Sequence, residues 1–230
     1  MKVISNLQAK IVALINIDEL MPKGGLHLPD AIPLVVQRYG FVTAPSLSDP
    51  LQKASDDGFK FAVGKLMVSG QEHAIGDLTI YPDGVVVNAF TTSGAEAFLD
   101  DFLSWGSQAL GFRATFATVT NRLYLSQLVV EFDYQLSSKL RVFWPFTNAF
   151  HEALRNTYSQ DFPRAELVSM KFDYDRALAP YAFRALASLV IERRENHRHS
   201  EDSIFFSQAP LPNDQHVSLL ETFEKSLASL

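Results

Sequence analysis

Hydrophobic and polar residues follow two different periods along the chain. In several short runs the period is two. Phe59, Phe61 and Val63 alternate with Lys60 and Ala62, and Leu128, Val130, Phe132 and Tyr134 alternate with Val129, Glu131, Asp133 and Gln135. Further on, Val168, Met170, Phe172 and Tyr174 alternate with Ser169, Lys171, Asp173 and Asp175, and Phe183, Ala185, Ala187, Leu189 and Ile191 alternate with Arg184, Ser188 and Glu192. Successive side chains of a strand point to opposite faces, so each run predicts a strand with one apolar and one polar face. Ile75 to Tyr81 and Val85 to Phe90 flank Pro82-Asp83-Gly84, a turn sequence that predicts a hairpin. Ala9 to Ile17 reads as a buried strand, Leu140, Val142 and Trp144 as a return strand, and Ile204 to Phe206 as a short one.

Elsewhere the apolar residues recur at three and four. Ile32, Val35, Val36 and Tyr39 follow the capping residue Asp30 and stop at Gly40. Ala95, Phe98, Leu99, Phe102 and Leu103 follow a capping box, Ser93 with Glu96, and precede Gly111. Phe146, Ala149, Phe150, Ala153, Leu154 and Thr157 make a continuous stripe after Pro145, which loses no helical hydrogen bond in a first turn. Leu219, Leu220, Phe223 and Leu227 follow Pro210 and Pro212. Four helices are predicted.

Clean alternation is the behaviour of antiparallel sheets with one solvated face, and strand pairs alternate with helices along the chain. The expected fold is therefore α+β: an antiparallel sheet covered by helices on one face, in repeated strand-strand-helix units. The units divide near Phe112 into two similar halves, 1–112 and 113–230, or run on as one continuous domain. Phe-Asp-Tyr occurs at Phe132 to Tyr134 and again at Phe172 to Tyr174, but two amphipathic strands in the same phase explain that without a duplication.

Composition narrows the function classes. With 47% hydrophobic and 20% charged residues over 230 positions, the whole chain is expected to fold. A net charge of -6 opposes a phosphate backbone, so nucleic acid is not an expected partner. The absence of cysteine excludes disulfides, thiolate nucleophiles and Cys-ligated zinc. No apolar run approaches the roughly 20 residues that span a bilayer, and the N-terminal segment lacks the pattern of a signal peptide. A cytoplasmic location without membrane association is expected.

Catalytic motifs fail on their own terms. Gly58 to Lys65 has the wrong spacing for a phosphate-binding loop, and Leu66 stands where a magnesium-binding hydroxyl would be. His151-Glu152 opens like a zinc-protease helix, but Arg155 occupies the second histidine's place. Two surfaces remain. Glu131, Asp133, Lys171, Asp173 and Arg184 would form a mixed-charge platform on the polar sheet face if their strands are neighbours. His197 and His199 would point the same way from an extended segment and could share a divalent metal, although a solvated loop beside Arg193, Arg194 and Arg198 needs no ligand and is the favoured reading.

The expected function is a non-catalytic interaction or assembly subunit of a bacterial-type multi-protein system. It would bind another protein chain or a second copy of itself through the polar face, without a cofactor. The alternative is a metal-dependent hydrolase or phosphoryl-transfer enzyme using the strand carboxylates, with Asp175 added, or the His197/His199 loop.

Overall fold

The computed structural model describes residues 1–15, 28–46, 58–68, 70–81, 83–113, 115, 119, 121–133, 139–158, 167–194 and 203–228. Among the described residues, eight strands form one sheet in which every pairing is antiparallel. They are β1 (Lys2–Leu14), β2 (Phe59–Val68), β3 (Gln71–Tyr81), β4 (Gly84–Ala89), β5 (Arg122–Glu131), β6 (Ser169–Phe172), β7 (Leu189–Arg193) and β8 (Ile204–Ala209). The helices are α1 (Leu28–Tyr39), α2 (Thr92–Ala109), α3 (Trp144–Tyr158) and α4 (Asn213–Ala228). The fold is α+β, as the two periods imply.

Strand order across the sheet is β2-β3-β4-β1-β5-β8-β7-β6. One strand, a helix, three strands and a helix occur twice in succession along the chain. The first strand of each series, β1 and β5, pair at the centre, from Lys2 with Glu131 to Ala13 with Arg122. Outward from that seam both sides carry their fourth, third and second strands in turn. The helices that follow, α2 and α4, also meet at their N-termini. The Thr92 amide donates to Asn213 Oδ1 at 2.7 Å, and the Asn213 amide donates to Thr92 Oγ1 at 2.9 Å.

Register explains the core. Phe61, Leu78, Val87 and Ile11 are cross-strand partners in one row, and all are buried. They join Val35 and Tyr39 of α1 and Phe98, Leu99, Phe102 and Leu103 of α2 in the larger cluster. Aromatic rings fill much of it, with Tyr39 and Phe98 centroids 4.6 Å apart. The smaller cluster joins Leu128, Val130, Phe132, Ile191 and Phe205 to Leu220 and Leu227 of α4.

The expected hairpin is present as the antiparallel pair β3 and β4, with Pro82 of its turn outside the described residues, and α1 and α2 are followed by Gly40 and Gly111 with φ of 63° and 75°. Other expectations need correction. Ser93 is not the N-cap of α2: Thr91 is, accepting from the Gly94 amide at 3.1 Å, while the Ser93 hydroxyl donates to Thr91 Oγ1. The expected strand through Leu140, Val142 and Trp144 is a tight helical turn running into α3. Pro145 favours this outcome, since it has no N–H for a ladder and a φ suited to a helix start.

The expected strand from Phe183 exists only from Leu189 onward. Side chains capture the backbone upstream. The Tyr174 hydroxyl donates to the Phe183 carbonyl at 2.7 Å, Arg184 donates to the Ala179 and Ala177 carbonyls, and Arg176 donates to that of Arg184. Carbonyls engaged this way form a compact loop in place of a ladder. Phe172, expected to point inward, is half exposed because β6 is an outer strand.

The helical glycine Gly106 tests the packing of α2. An alanine in a helix usually stabilises by roughly 0.5–1 kcal/mol relative to glycine. At Gly106, however, a Cβ would collide with the Phe112 ring, which the chain folds back by bonding the Phe112 amide to the Gly106 carbonyl at 3.0 Å. Gly106→Ala should therefore destabilise, by about 1–3 kcal/mol, the usual cost of overpacking. Urea denaturation measures the sign, and a stabilised variant would contradict this packing.

Candidate functional site

The sequence-derived platform is dispersed by the sheet order. β5 and β6 are separated by β8 and β7, three strand spacings or about 14 Å. Glu131 ends β5 opposite Lys2. Asp133 lies beyond the strand, 2.8 Å from the Met1 ammonium, and its amide donates to Glu224 Oε1 at 2.7 Å. Lys171 is on β6 opposite Val190. Asp173 and Arg184 come together in the β6–β7 loop, tied through Arg176. There the Asp173 carboxyl is held below the ordinary carboxylate value, first by the Ser188 hydroxyl at 2.8 Å, then by the Tyr174 amide and Arg176. Asp175 accepts from the Ala177 amide in the same loop. Among the described residues no three His, Asp or Glu side chains are grouped to hold a metal, and His197 and His199 lie outside them.

Polar side chains do line up on the sheet face opposite the core row. Lys60 reaches Asp77 at 3.6 Å, Asn88 donates to Asp77 at 2.7 Å, and Gln8 donates to Asn88 at 3.0 Å. Gln8 is the register partner of Gln127, which donates to Gln208 at 2.8 Å. Each of these strand neighbours satisfies another, so the row extends from β2 to β8 as a self-paired amide ladder.

A second polar group is hidden under α4. His216 is completely buried, with Nδ1 2.8 Å from Ser126 Oγ and Nε2 2.9 Å from Ser207 Oγ. The Ser207 hydroxyl donates to the Val190 carbonyl, so it accepts from Nε2–H, and Ser126 then donates to Nδ1. This network assigns a neutral imidazole. Burial pushes its pKa down to about 4. Serine beside histidine is nucleophile chemistry in other settings, but here all three residues are sealed from solvent and fully engaged with each other. The arrangement fastens α4 to β5 and β8.

Its members escaped the sequence reading because they are polar and far apart in the chain. A signal was nonetheless present: His216, Leu220, Glu224 and Leu227 share one face at helical spacing, and all four are buried. Leu219, assigned to that face by hydrophobicity, is exposed.

The third feature is apolar and exposed. Helix α3 forms where its stripe predicts, yet none of its residues is buried; Phe146 is 74% exposed and Phe150 51%. Among the described residues, more than half of the exposed large hydrophobic side chains lie between Val142 and Tyr181. The chain matches no protein-family model and no curated protein. In the first series α1 contributes Ala31, Ile32, Val35 and Tyr39 to the core, whereas among the described residues its counterpart α3 adds none to either cluster.

Proposed function

We propose that this chain is a non-catalytic interaction or assembly subunit of a bacterial-type multi-protein system, and that it binds its partner through the exposed apolar surface centred on α3. The observation that carries this reading is a well-formed amphipathic helix whose apolar stripe, Phe146 and Phe150 foremost, faces solvent. Monomeric soluble proteins rarely leave large contiguous apolar patches open, and those that do use them for docking. A helix of this kind fits an apolar groove, reading its anchors at three- and four-residue spacing. The partner expected is another protein offering such a groove. Among the described residues no helix is long and apolar enough to cross a membrane.

The test is a photo-reactive amino acid placed at Phe146 or Phe150 in the source cell, with Lys60 as the control site. One discrete protein adduct is expected from both α3 sites, none from Lys60, and loss of the Phe146 adduct when Phe150→Asp is added. No adduct from either α3 position would overturn the reading.

A further inference from the structure

The two outer strands of the sheet are treated differently by the fold. The outer edge of β2 is occupied: Thr43 bridges Ala62 with bonds of 3.1 and 2.9 Å, and the Val42 amide reaches the Ala62 and Val63 carbonyls. Val63 adopts φ of 56°, distorting the strand locally, and Lys60 and Lys65 add charge. Blocking, kinking and charging are the devices by which proteins protect an edge from pairing. At the other end, among the described residues, nothing pairs with the outer edge of β6.

Which groups that edge offers follows from the ladder. The Arg193 amide bonds the Val168 carbonyl at 2.8 Å, so the backbone groups of Val168 point toward β7. Alternation then turns those of Met170 and Phe172 toward β7 as well, and those of Ser169 and Lys171 outward. The side chains of Val168, Met170 and Phe172 share the sheet face that carries Ile191, with Val168 47% and Phe172 49% exposed.

We infer that β6 pairs antiparallel with β6 of a second copy of this chain, about a two-fold axis at Met170, making one continuous sheet of the two molecules. A two-fold axis normal to the sheet keeps each side chain on its own face, so only registers pairing odd with odd and even with even positions are allowed. Pairing Lys171 with its copy would set like charges directly opposite each other, which destabilises a sheet. Pairing Met170 with its copy avoids this. Lys171 then faces Ser169 of the second copy, both with outward backbone groups, and each such pair exchanges two hydrogen bonds. Phe172 covers Val168 of the second copy on the apolar face, and Met170 meets its own copy. A register centred on Ser169 would also separate the lysines, but it carries Phe172 past Val168, the first residue bonded to β7, so Met170 is the centre that keeps all of these side chains paired. This pairing is separate from what α3 binds: a monomer that still forms α3 adducts would sink the pairing alone, and a dimer without α3 adducts would sink the other reading alone.

The chain has no cysteine, so single-cysteine variants report the register directly. The unmodified protein should run as a dimer by light scattering, close to twice 25.7 kDa. Met170→Cys should form an intermolecular disulfide under mild oxidation, because directly opposed Cα atoms at about 4.5 Å lie within disulfide reach. Lys171→Cys alone should not, whereas mixing Ser169→Cys with Lys171→Cys should give the mixed dimer. Lys171→Pro removes an outward N–H without touching the β6–β7 ladder, so it should yield a folded monomer whose melting temperature, unlike that of the native dimer, does not depend on protein concentration. A monomeric native protein, cross-linking of Lys171→Cys in place of Met170→Cys, or a dimer that survives Lys171→Pro would each overturn the pairing.

Discussion

Phe98→Ala should lower the stability of the protein by about 3–5 kcal/mol, the range for a phenylalanine deleted from a close-packed core. The ring is completely buried and stands between three others: Tyr39 at 4.6 Å, Phe41 at 6.2 Å and Phe102 at 6.2 Å. It is also where α1, α2 and the sheet meet, so the neighbours that could collapse into the void are held from three sides. The same substitution on α3, Phe150→Ala, removes a ring that already faces water and should change stability by no more than about 0.5 kcal/mol. Urea denaturation of the two variants, with unchanged slopes, makes the comparison. Equal losses at the two sites would mean that α3 is packed and that its apolar face is not available to a partner.

The second large effect is a dependence on pH. His216 titrates near 6.5 when unfolded and at about 4 in the folded protein, because burial beside two serines disfavours the imidazolium. Between those values the unfolded chain binds the extra proton, so stability rises with pH across the window. The contribution is complete above 6.5 and is lost as the pH falls through the window toward 4; it amounts to about 3 kcal/mol, at 1.36 kcal/mol per unit. Unfolding free energies measured from pH 7 to pH 4 should show this loss, and His216→Leu should flatten that part of the curve while costing stability near pH 7 through Ser126, whose buried hydroxyl loses its acceptor. An NMR titration of the imidazole gives an independent reading. A protonation midpoint at 6 or above would mean that water or a counter-charge reaches the ring, which the sealed Ser126–His216–Ser207 arrangement does not allow.

Where local chemistry and tertiary packing agree, the elements were legible. Pro82-Asp83-Gly84 ties two apolar runs into neighbours whatever else the chain does, and the stripe of Phe98, Leu99, Phe102 and Leu103 has only one side to bury. The loop from Asp173 to Ser188 was misread because Arg176, Arg184 and Tyr174 bond backbone carbonyls. Alternating hydrophobicity does not record such capture. The spread of Glu131, Lys171 and Arg184 over separate parts of the sheet has a related reason: alternation places each residue on a strand face one by one, and nothing local states which strands are neighbours.

By itself the sequence determined which segments are strands and helices in most of the chain, and which side of each is apolar, because both follow from contacts within a few residues. The tertiary structure alone decided that β1 and β5 meet at the centre, that β6 is left at an edge, that α3 keeps its apolar stripe in water, and that His216 is sealed between two serines. These depend on pairings between residues as far apart as Ala9 and Ser126, or Ser126 and His216. Periodicity shows that a face seeks cover, whereas only the closed fold determines what covers it.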